Sequence, residues 1–102
     1  MNKTLANITA AASYLPAKVV TNAELEKTID TSDEWIKSRT GITERRFVDE
    51  GESTSTMATK AVKKLLKIKE LNPDEIDAII IATVTPDMMF PSTAAIVQNN
   101  IN

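Results

Sequence analysis

The sequence predicts an α/β protein with a mostly parallel sheet and covering helices, and three observations predict it. Ile76 to Val84, IDAIIIATV, is β-branched and apolar on both faces, the pattern of a central parallel strand sandwiched between helices. Ala58, Ala61, Val62, Leu65 and Leu66 recur at i, i+3, i+4, i+7 and i+8, one face of an amphipathic helix. The segments run in the order β, α, α, β, α, β, α, which suits a wound α/β protein.

In chain order, Leu5 to Leu15 is small and apolar with β-branched Ile8 and Thr9, and Pro16 closes the run. It is taken as a strand, although its alanines suit a helix equally. Thr21 and Glu24 form a capping box that opens a short helix through about Ile29. Thr31 and Glu34 repeat the pattern before a second helix, which Gly41 stops as the residue best able to adopt a left-handed conformation. Ile42 to Val48, ITERRFV, is β-prone with charges in the middle and predicts an exposed or edge strand.

After the polar loop Asp49 to Thr54, the amphipathic helix spans about Ser55 to Lys69. Lys60, Lys63, Lys64 and Lys67 lie largely opposite its apolar stripe. Such a lysine face is more often solvated than a docking patch. Asn72, Pro73 and Asp74 make a turn, the apolar strand follows, and Ser92 caps a last helix, Thr93 to Ile101. The loop TPDMMFPST sits at the strand's C-terminal end, where open α/β folds place binding sites. Ile79 to Ile81 would need neighbours on both sides, so the fold is expected to be incomplete.

With 102 residues, 42% hydrophobic and 25% charged, the composition is that of a globular domain. A chain of this size buries about two thirds of the surface it exposes unfolded. A net charge of −2, from 12 basic and 14 acidic residues, argues against a nucleic-acid or anionic-membrane binder. No cysteine is present, which excludes disulfides, thiolate metal sites and a cysteine nucleophile within this chain. No histidine is present either, which removes the commonest general base and metal ligand. No metal site and no permanently bound cofactor are expected. The sequence has neither a signal-peptide pattern nor a run of about 20 apolar residues, so a cytoplasmic location without membrane contact is expected.

The most informative stretch is Thr31 to Arg46, TSDEWIKSRTGITERR, with the only tryptophan. On a helix from Ser32 to Thr40, Thr31, Trp35 and Arg39 would share one face, offering a hydroxyl, an indole and a guanidinium. A flat aromatic ligand bearing phosphate would suit that platform, since a guanidinium both stacks and pairs with phosphate. Two of the three have a competing structural role. Thr31 would cap the helix, and Trp35 would pack in the core beside Ile36, the commoner fate of tryptophan. Arg45 and Arg46 would bind phosphate or form weak surface ion pairs. Asp33 and Glu34 are discounted as an acid-base pair, because adjacent helical side chains diverge.

Together with TNAELEKTIDTSDEW, STSTMATKAV and ATVTPDMMFPSTAAIVQ, this stretch resembles the N-terminal part of β-ketoacyl-acyl-carrier-protein synthase III, the initiating condensing enzyme of type II fatty-acid synthesis. The resemblance runs essentially from end to end. It implies that residues 1–102 are part of the first half of a thiolase-like fold, incomplete on its own, within a homodimeric acyltransferase. The implied reaction is attack of a cysteine on acetyl-CoA or a similar acyl-CoA primer, then decarboxylative Claisen condensation with malonyl-acyl-carrier protein. The family's Cys, His and Asn cannot be placed here, so the isolated segment is expected to be inactive and to need the remainder of its own chain. The resemblance assigns Trp35 to stacking on the CoA adenine, with Thr31 and Arg39 as polar neighbours. It assigns Phe90 to the partner's acyl pocket across the dimer, where an ordinary loop aromatic is the alternative. Two other readings stay open: another thiolase-superfamily acyl-CoA enzyme, and a non-catalytic CoA-binding module.

Overall fold

The computed structural model describes residues 5–102. The chain divides into two compact units, residues 15–52 and residues 53–102 together with those preceding Leu15.

The 15–52 unit is built around a two-stranded ribbon. Strand β1 (Lys18–Thr21) pairs antiparallel with β2 (Glu44–Phe47), setting Val20 opposite Arg45. The second strand lies inside the expected Ile42 to Val48 run. The first was not foreseen, because four residues between Pro16 and a capping threonine are too few to show alternation. Helix α1 (Asn22–Leu25) starts at the expected capping box: the Thr21 hydroxyl accepts from the Glu24 amide at 3.3 Å, and the Glu24 carboxyl accepts from the Thr21 amide at 2.7 Å. Helix α2 (Asp33–Thr40) ends at Gly41, whose φ of 70° is left-handed and whose amide donates to the Lys37 carbonyl. Its N-cap is Ser32, not Thr31: the Ser32 hydroxyl accepts from the Trp35 amide at 3.1 Å.

In the 53–102 unit, helix α3 (Thr54–Lys69) opens on a capping box between Ser53 and Thr56. A 3-10 turn (Pro73–Glu75) follows, with Asn72 as its cap and Pro at its start. Helix α4 (Thr93–Ile101) is capped by Ser92, as expected. Helices α3 and α4 pack together, burying Val97 and Ile101 with Ser55 and Thr59. Small side chains at Ser55 and Thr59 are the fully buried positions of α3, while Val62, Leu65 and Leu66 are half-buried and line a cleft of about 270 Å³ with Ile76 and Ile79.

The α/β character holds, but the mostly parallel sheet is not formed among the described residues, whose one sheet is the antiparallel ribbon. Ile76 to Val84 and Leu5 to Leu15 carry no strand. A strand exists only through its ladder, and no neighbouring backbone among the described residues pairs with either run. Part of each run faces outward, with Ile80 91% and Val84 98% exposed, while Ile76 and Ile79 turn toward α3 and line its cleft.

Candidate functional site

Helix α2 presents Trp35 and Arg39 on one exposed face because 3.6 residues per turn align positions four apart. Ile36, one residue on, turns inward and is buried, whereas Trp35 is 55% exposed. The indole is therefore a surface platform, not a core tryptophan. The Arg39 guanidinium carbon lies 5.6 Å from the centroid of the Trp35 ring, within cation–π range. Thr31 precedes the helix, and the turn made by the Ser32 cap carries it beside the indole. Asp30, Thr31, Ser32 and Trp35 line a shallow cleft of about 340 Å³. Since Ser32 does the capping, the Thr31 hydroxyl is not committed to that role.

Asp30 was not singled out from the sequence, since a lone aspartate before a helix carries no distinguishing pattern. Its carboxylate adds an acceptor to a lining that otherwise brings the hydroxyls of Thr31 and Ser32 and the indole of Trp35. The cleft thus combines an aromatic face with hydroxyls and a carboxylate, and Arg39, which does not line it, sets a cation within range of the same indole, a set suited to a heteroaromatic ring with amino substituents.

What holds the platform is Asn22, 1% exposed and also unforeseen. Its amide nitrogen donates to Asp33 at 2.8 Å and to the Ile42 carbonyl at 2.8 Å, and its amide oxygen accepts from Arg45 at 2.5 Å. One side chain thus ties both ends of α2 to the ribbon. Glu26 adds an acceptor for the Asp33 amide, and Lys37 reaches Asp33 at 2.7 Å across one turn. Arg45 also donates to the Val20 carbonyl, and Arg46 to the Pro16 carbonyl. Among the described residues neither arginine forms an ion pair, and both brace the ribbon's backbone.

Hydrogen bonds from Lys37 and then Asn22 hold the Asp33 carboxyl below its ordinary value of 3.8. A folded-state value below the unfolded one stabilises the fold above 3.8, and that contribution disappears as pH falls through the lowered value. Asp33→Asn is therefore expected to reduce the loss of stability on acidification below that point, read from urea midpoints across the acid range. An unchanged acid profile would count against it.

The other residue singled out, Phe90, lies in the 53–102 unit, on the loop before α4, and is 86% exposed. A second cleft, of about 250 Å³, is lined by Ile81, Thr83, Pro86, Met88, Met89 and Thr93 among others; Met88 and Met89 line it and Phe90 does not. Among the described residues no group of His, Cys, Asp and Glu side chains could hold a metal ion. Nor, among them, is any helix long and apolar enough to cross a membrane.

No protein-family model matches the chain. Individual proteins do match. Over 99 residues, 97% of this chain, it is 57% identical to β-ketoacyl-[acyl-carrier-protein] synthase III of Caldanaerobacter subterraneus subsp. tengcongensis. It is also 57% identical over 98 residues to the synthase III of Streptococcus mutans. The crystal structure of 3-oxoacyl-[acyl-carrier-protein] synthase III from Aquifex aeolicus superposes with a TM-score of 0.82 at 53% identity, covering 89% of this chain. In sequence and fold, this chain matches part of β-ketoacyl-acyl-carrier-protein synthase III. Its fold is accordingly a portion of the thiolase-like α/β architecture of synthase III. The chain spans 30% of the length of these two curated synthase III relatives and 29% of the Aquifex chain.

Proposed function

We propose that the chain is the N-terminal portion of a synthase III and supplies the grip on the nucleotide end of CoA. The whole enzyme transfers an acyl group from acetyl-CoA or a similar primer and condenses it with malonyl-acyl-carrier protein to give 3-oxoacyl-acyl-carrier protein. Trp35 stacks on the adenine, Arg39 backs the stack and reaches toward phosphate, and Thr31 hydrogen-bonds the base or ribose. The observation that carries this reading is the exposed indole with a guanidinium 5.6 Å from its centroid, beside an open cleft.

The chain contains no Cys and no His. Thiolate attack and enolate stabilisation therefore belong to residues elsewhere in the enzyme, and the segment alone is inactive. Phe90 contributes to the acyl pocket of the partner subunit in a homodimer, and the enzyme works in the cytoplasm with no permanent cofactor.

In the full-length enzyme, Arg39→Ala is expected to weaken acetyl-CoA binding while barely slowing chemistry on an acyl group already bound. KM would rise with kcat nearly unchanged, as when ground-state and transition-state binding fall together. Equal loss in kcat and kcat/KM would make Arg39 a fold-supporting residue instead. Purifying the 102-residue polypeptide by itself separates this reading from a CoA-binding module. A cooperative melt with CoA binding that Trp35→Ala abolishes would favour the module; recovery only beside a second polypeptide would favour the enzyme portion.

A further inference from the structure

We propose that Asp87 is a positioning residue that sets primer selectivity by clamping the 85–92 loop to the N-terminus of α3; this rests on the reading of that loop as part of the acyl pocket.

The loop's own side chains do not hold it. Met88, Met89 and Phe90 are all half-exposed or more, so within residues 5–102 little apolar burial fixes their positions. The anchors lie just before them. The Asp87 carboxyl accepts from the Ser53 hydroxyl at 2.7 Å, from the Ser55 amide at 2.8 Å and from the Ser55 hydroxyl. Two residues earlier, the Thr85 carbonyl accepts from the Thr54 hydroxyl at 2.7 Å. Beyond the methionines, Ser92 is fixed by accepting the Ala95 amide as the cap of α4. Residues 88–91 therefore hang between two fixed points, and the first of them is Asp87.

The carboxyl suits the position. It sits among the first amides of a 16-residue helix, where a negative charge is favoured. Its donors, led by Ser55 and Ser53, hold it below the usual aspartate range. Bonds to an ionised acceptor are stronger and more directional than neutral ones. A single methylene changes acceptance by a hydrophobic pocket about 10- to 200-fold, so a displaced pocket wall shifts primer ratios on that scale at most. A loop released from its clamp would thus alter which primer fits.

The test is kcat/KM of the full-length enzyme across straight-chain and branched acyl-CoA primers, for Asp87→Ala, Asp87→Asn, Ser55→Ala and Phe90→Ala. Asp87→Ala is expected to shift the ratio between acetyl-CoA and the bulkiest primer by about fivefold or more, with CoA affinity unchanged. Asp87→Asn, which keeps an acceptor for the Ser55 amide, should shift it less. Ser55→Ala, which removes one donor and leaves the backbone bond, should give a smaller shift in the same direction and serves if Asp87→Ala does not fold. A uniform fall for every primer, or no shift in Asp87→Ala and Ser55→Ala, overturns the clamp. If Phe90→Ala shifts the ratio and the Asp87 and Ser55 variants do not, the clamp alone is rejected. The opposite result upholds the clamp and rejects Phe90 as a pocket wall.

Discussion

Trp35→Ala is expected to weaken acetyl-CoA binding to the full-length enzyme by about 5- to 150-fold, the range for loss of one base–aromatic stack worth about 1–3 kcal/mol. The indole is exposed and makes no core, so stability should change little. Arg39 loses its stacking surface in the same variant. The double variant Trp35→Ala with Arg39→Ala should therefore lose less than the sum of the two singles. Calorimetric titration with acetyl-CoA measures both effects. An affinity within a factor of two of the parent would remove Trp35 from the site.

Asn22→Ala is expected to have the largest effect on stability, about 1–3 kcal/mol, the cost of leaving buried polar partners unsatisfied. Asn22 is almost wholly enclosed, and its removal strips partners from Asp33, the Ile42 carbonyl and Arg45 at once. Those groups flank α2, so its anchorage and the set of the cleft should loosen together, with acetyl-CoA affinity falling although Asn22 lines no part of it. Urea unfolding of the full-length protein would show a lower midpoint at unchanged slope. A loss below about 0.5 kcal/mol, the scale of an ordinary surface substitution, would mean that Asn22 is not the hub described.

Local chemistry was legible in the sequence where it is self-contained. The capping box at Thr21, the left-handed stop at Gly41 and the Ser92 cap each act within a few residues. The α2 start shows the limit. In TSDEW both Thr31 and Ser32 can cap, and the choice of Ser32 goes with the Glu26 contact to the Asp33 amide from seven residues away. Asn22 and Asp87 were invisible for the same reason. Their partners lie up to 23 and 34 residues distant in sequence, and nothing in NAEL or TPDMM marks a buried or clamping residue.

The strand expectations at Leu5 to Leu15 and Ile76 to Val84 turned on composition, which specifies a readiness to pair but not a partner. The pairing that does occur, Lys18–Thr21 with Glu44–Phe47, joins short runs rich in charge, held by Arg45 and Arg46 bonds to backbone carbonyls. Of the platform, the shared face of Trp35 and Arg39 followed from helical spacing, whereas spacing left open whether the indole is exposed or packs in the core. Thr31 reached the cleft by a different route, through the turn preceding the cap.

On the proposed function, this cleft holds the nucleotide end of CoA and not the reacting thioester. Acetyl-pantetheine carries the thioester without the nucleotide, so the decisive measurement is kcat/KM of the full-length enzyme and its Trp35→Ala variant on acetyl-CoA and on acetyl-pantetheine. The variant is expected to lose activity on acetyl-CoA and keep that of the parent on acetyl-pantetheine. Equal losses on both substrates would contradict the assignment.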